Sequence, residues 1–126
     1  MASPLDAYTK NATISKSPRD LEALALMRSA ARLKNLRDHW NEDHSDLDGA
    51  IGFNRKLWTI LSTAATETDS PLPPDMQRNI AMIAMFIFNR SLDAIVDPKP
   101  EHLDALIDIN RNIASGLYGT APDTAA

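Results

Sequence analysis

Nine consecutive residues, Ile80-Ala81-Met82-Ile83-Ala84-Met85-Phe86-Ile87-Phe88, carry no polar side chain. A surface helix keeps one polar side, and this run has none. It is therefore predicted to form the centre of the fold, with other helices packed round it. The run itself is too short to cross a bilayer, which takes about 20 apolar residues, and no membrane insertion is expected. Pro73-Pro74-Asp75 has the chemistry of a helix start. Asp97-Pro98-Lys99-Pro100 has that of a stop. The helix is expected over 74–95.

The other segments read as helices too. Ser17-Pro18-Arg19-Asp20 combines an N-cap, a proline for the first helical position and an acid for the third. Leu21, Leu24-Ala25, Arg28, Ala31, Leu33 and Leu36 then give a stripe to about residue 39. Leu47, Ala50-Ile51, Asn54, Leu57-Trp58, Leu61 and Ala64-Ala65 predict a second helix over 46–66. Gly49 and Gly52 weaken its first turns and leave room for a close neighbour. Leu103, Leu106-Ile107, Asn110, Ile113-Ala114 and Leu117 predict a last helix over 101–116, with Gly116 as a left-handed C-cap.

The expected fold class is all-α: a compact bundle of about four main helices. Residues 1–16 read as a short N-terminal helix or arm, anchored by Tyr8, residues 17–117 as the helical domain, and 118–126 as a flexible tail. Four glycines and few β-branched or aromatic runs argue against a sheet. Ile80, Ile83, Ile87, Leu57, Leu61, Leu24 and Leu106 are the expected core, and Trp58 is expected to pack near Phe86 or Phe88.

The chain has no cysteine, so a disulfide framework and a thiol nucleophile are excluded. Its start lacks the basic and apolar regions of a secretion signal, and a cytoplasmic protein is expected. A net charge of −4 works against phosphate binding. Arg28, Arg32, Lys34 and Arg37 make one side of the first helix basic, either as a solvated face or as a site for an acidic partner. His39 and His44 flank an acidic loop without the spacing of a metal site. No catalytic constellation or phosphate loop is visible.

Three helices repeat one small pattern: Asn54-Arg55, Asn89-Arg90 and Asn110-Arg111. Asn54 and Asn110 fall on apolar stripes, and a buried amide without partners costs about 1–3 kcal/mol. Two readings stand. Each asparagine bonds a loop or helix end and fixes the packing, or the Asn and Arg groups line a groove for a partner helix.

A set of short motifs occurs in one order: Tyr8; Ser17-Pro18-Arg19 with Leu21-Glu22; Asn54-Arg55-Lys56-Leu57-Trp58; Leu72-Pro73; Leu106-Ile107-Asp108-Ile109-Asn110-Arg111; Ile113-Ala114; Gly116-Leu117. In this the chain resembles the flagellar biosynthesis regulator FlaF family of alphaproteobacteria. Ser70-Pro71 departs from the family, which usually has Asn shortly before Leu-Pro. The resemblance implies a protein without enzyme activity or cofactor. It implies a cytoplasmic chaperone that binds flagellin, through a terminal amphipathic segment, and promotes its secretion and filament assembly. A regulator of the FlbT type or the export machinery would be further partners. The motif residues Tyr8, Arg19, Glu22, Asn54, Arg55, Trp58, Leu106, Ile109, Asn110, Arg111 and Leu117 are the candidate partner-binding set. Ile109 stands round from Leu106 and Ile113, so an open apolar strip is expected there unless the arm around Tyr8 covers it. The competing readings are a regulator that binds flagellin messenger RNA directly, which the acidic balance disfavours, and an adaptor for the FlbT-type regulator.

Overall fold

The structure, a computed structural model, describes residues 18–118. Four helices make up the fold, with no strand among the described residues: α1 (Pro18–Asp38), α2 (Leu47–Ala65), α3 (Pro74–Val96) and α4 (His102–Tyr118). The all-α bundle is as expected, and the helix bounds lie within two residues of the predicted ones. Tyr8, Ser17 and residues 119–126 lie outside the described residues.

The helices form a ring. α1 packs most closely on α4 and α2 on α3, while contacts of α1 with α2 and of α3 with α4 close the circuit. The diagonal pairs have no close backbone approach. No helix occupies the centre, and this overturns the central position expected for α3. In a ring each helix turns only one side inward. On α3 that side is mostly small, with Ala84, Ser91 and Ala94 buried beside Ile87. Its larger side chains point out: Met82 is 63%, Met85 64%, Leu92 61% and Val96 73% exposed. By length and composition α3 is also long and apolar enough to cross a membrane, which the nine-residue run alone is not.

Of the expected core, Ile87 and Leu106 are fully buried, whereas Leu24, Leu57, Leu61, Ile80 and Ile83 are half-buried. The stripe on α1 is also displaced. Ala23, Leu26, Ala30, Leu33 and Leu36 face inward, while Arg28 and Ala31 face out. Both sets have helical spacing, but only the inward set avoids a charge. α2 and α4 bury the faces expected of them: Leu47, Ala50, Ile51 and Trp58 on one, Leu103, Leu106, Ile107 and Ala114 on the other. Ile109 is half-buried and packs against the core, so it is no open strip.

Gly116 has no positive φ, and α4 runs through it to Tyr118 instead of capping there. Gly49 does make room, but for an ion pair. A methyl group on it would stand 2.8 Å from Arg32 Nη2 and 2.9 Å from Asp46 Oδ1. These two side chains form a bidentate bridge from α1 to the start of α2, with both bonds at 2.7 Å. Asp46 precedes α2 but makes no capping bond with its side chain, because the guanidinium holds its carboxylate. The basic side of α1 is answered by further acids: Lys34 pairs with Asp38, and Arg37 with Asp38 and Asp104. In the loop after α1, the rings of Trp40 and His44 stack 4.1 Å apart.

Candidate functional site

The interior holds one connected polar group. Asn54 of α2 accepts two hydrogen bonds on Oδ1, from Ser29 Oγ of α1 and from Asn110 Nδ2 of α4, each at 2.7 Å. Asn110 in turn accepts the indole N–H of Trp58 on its own Oδ1, at 2.8 Å. All four side chains are buried, and they link three helices. Within this group, Asn54 Nδ2 has no hydrogen-bond partner among the described residues. Of the two readings of the Asn-Arg pattern, packing describes Asn54 and Asn110, although they bond each other and not a loop or helix end. Asn89, the third asparagine of the pattern, is exposed on α3. Trp58 is fully buried with its polar end held by α4, and Phe86, one of its expected neighbours, faces outward and is 41% exposed.

One side of Trp58 borders a cavity of about 430 Å³ at an end of the bundle. Its floor and walls are apolar. α2 contributes Leu61, Ala64 and Ala65, the loop after it Pro71 and Leu72, α3 Met76 and Ile80, and α4 Ile113 and Leu117. Polar groups come from the start of α1, where Arg19 and Glu22 stand one turn apart, and from Ser70 and Asn112. Partial burial raises the Glu22 pKa above its ordinary value, and the nearby Arg19 charge opposes that. The volume lies in the range of small-ligand pockets and also suits a few apolar side chains of a peptide.

Of the candidate set, Arg19, Glu22, Trp58 and Leu117 meet at this cavity. Asn54, Asn110 and Leu106 are buried away from solvent, and Ile109 is half-buried on the core. Arg55 and Arg111 are exposed. Arg111 borders a separate shallow depression with Met27, Ala30 and Lys34. Sequence reasoning missed the share of Met76 and Ile80, because α3 was expected to be covered on all sides. The signal lay in Ala64-Ala65 and Gly116, small residues at helix ends that leave the space unfilled.

The model of the flagellar protein FlaF family matches residues 4–117. The chain belongs to the FlaF family. Membership places it in flagellum biogenesis and covers all four helices, so the cavity and the polar group are both built from matched residues. Searches of curated proteins and of solved structures each returned no match. Among the described residues no group of three or more His, Cys, Asp or Glu side chains is placed to hold a metal ion.

Proposed function

We propose that this FlaF-family protein binds flagellin in the cytoplasm as a chaperone without enzyme activity, promoting secretion and filament assembly. The observation that carries the reading is the apolar cavity, which gathers Arg19, Glu22, Trp58 and Leu117 from distant parts of the chain. An amphipathic segment docks by inserting apolar side chains spaced i, i+3, i+4 and i+7 into such a hollow. Leu61, Ile80 and Leu117 would receive those side chains, while Arg19 and Glu22 at the start of α1 would meet polar groups beside them. Occupation would keep the apolar side of the flagellin terminus from aggregating before export.

Direct binding of messenger RNA has less support, because Arg32, Lys34 and Arg37 of α1 are each matched by an aspartate. An adaptor role toward an FlbT-type regulator would not require the cavity. The test is co-purification with flagellin, intact and lacking its terminal segments. Ala64→Arg places a long charged side chain at an exposed position on the cavity wall. It is expected to keep the helical circular dichroism signal and lose flagellin. Undiminished capture by this variant would overturn the proposal.

A further inference from the structure

The outward side of α3 is an apolar strip that no other described helix covers. Met82, Met85, Phe86, Leu92 and Val96 lie on it, between 41% and 73% exposed. Arg90 sits over one face of the Phe86 ring, 5.2 Å from its centroid. With roughly 100 Å² open on each of the five, the strip supplies more than half of the ~800 Å² that each partner contributes to a standard interface. An apolar strip of this extent on a folded domain marks a contact surface. It is a convex helix side, distinct from the cavity at the bundle end.

We infer that this surface joins two copies of the chain, with the two α3 helices antiparallel. The order of residues along the strip carries the argument. Arg78 lies near one end, Asp93 near the other, and both are exposed. Arg78 forms an ion pair with Asp75 within its own chain, which leaves other donors of its guanidinium available to a second carboxylate. A twofold axis between Met85 and Phe86 sets Arg78 of one copy opposite Asp93 of the other, and Met82 opposite Asn89. Met85 and Phe86 then face their counterparts at the axis. A parallel pair would set Arg78 on Arg78 and Asp93 on Asp93. A twofold interface uses the same patch on both subunits, so its charges must be self-complementary, and the Arg78 and Asp93 charges are so in the antiparallel sense only, with Leu92 then meeting Asn79 and Val96 meeting Asp75. Helix pairs of this kind pack ridges into grooves and need no preformed hollow.

The experiment is sedimentation of the purified full chain in a concentration series reaching ~100 μM, where a complex of micromolar affinity is nearly all formed. The expected mass is twice the 13.9 kDa of one chain. Met85→Lys should give the single-chain mass with unchanged helical content. Arg78→Asp should weaken the pair, and adding Asp93→Arg should restore it. The native chain has no cysteine, so single introduced thiols report the geometry. Met85→Cys should cross-link on mild oxidation. Val96→Cys should not, because its two copies would lie roughly 30 Å apart in the antiparallel pair. A single-chain mass for the native protein throughout the series overturns the inference, as does a dimer that survives Met85→Lys. Cross-linking of Val96→Cys as readily as Met85→Cys overturns the antiparallel arrangement. If the native chain is monomeric and Met85→Lys instead loses flagellin, the strip belongs to flagellin and the inference fails.

Discussion

Asn110 donates a hydrogen bond from its amide nitrogen to the amide oxygen of Asn54 across 2.7 Å, joining residues 56 positions apart in the middle of the bundle. The bond fixes the register of α4 against α2, two helices whose backbones do not otherwise approach closely. Asn110→Ala would leave the Trp58 indole N–H and the Asn54 oxygen short of a partner, at an expected cost of about 2–4 kcal/mol. Asn89→Ala alters the same Asn-Arg pattern at an exposed position and should change stability by less than about 0.5 kcal/mol. Trp58→Phe should cost about 1–3 kcal/mol through the lost N–H bond, and Trp58→Ala about 3–5 kcal/mol. Urea titrations of the four variants check the order.

Glu22 and Asp46 should give opposite pH signatures. Burial holds the Glu22 pKa above its unfolded value. Its ionised form therefore weighs against the folded state above that raised value, and the penalty disappears as pH falls below the unfolded one. Glu22→Gln is expected to raise the melting temperature at neutral pH, with the gain vanishing in acid. The hydrogen bond from Arg32 holds the Asp46 pKa below its ordinary value. That pair adds stability above the unfolded pKa and loses it as pH falls through the lowered one. Asp46→Asn should therefore lower the melting temperature at neutral pH and have no effect in strong acid. Asp46 is exposed and Glu22 only partly buried, so both effects should be small. Melting curves across the acid range test both signs.

The glycines of α2 separate helix propensity from local crowding. Nothing stands within 4 Å of where a methyl group on Gly52 would lie. Gly52→Ala is expected to stabilise the fold by up to about 1 kcal/mol. Gly49→Ala gains the same propensity but pushes on the Arg32–Asp46 bridge, an exposed pair worth about 0.2–1 kcal/mol. Its net gain should be smaller. Equal gains at the two positions would mean that the bridge shifts aside at no cost.

The helices were legible because their starts and stops are chemical: Pro74 and the Asp97–Pro100 stretch mark real boundaries. The inward faces of α2 and α4 followed from spacing alone. The position of α3 was misread because an all-apolar run says that a helix lacks a polar face, not that it is surrounded. Ala84, Ser91 and Ala94 were the contrary sign, since small residues let a helix rest against a neighbour on one side. Arg28 likewise marked the wrong stripe on α1. Burial of Asn54 and Asn110 could be foreseen, but their mutual bond could not, because nothing in a sequence says that two stripes meet at the same height. The cavity was hidden for the same reason. Its lining comes from all four helices and one loop, and it exists only where their ends fail to fill the space.

The closest helix pair in the ring is also the pair farthest apart in sequence. Asn110 of α4 donates to the backbone oxygen of Leu26 in α1 across 84 positions. During synthesis at about 5–20 residues per second, α1 is therefore without its main neighbour for roughly 4–17 s. For that time Leu26 and Leu33 have only α2 to lie against. The bundle closes late, and any protein lacking α4 is expected to remain an open, aggregation-prone chain for cellular quality control to remove. A ribosome-stalled series of increasing length, probed with protease, should become resistant in one step when α4 has emerged.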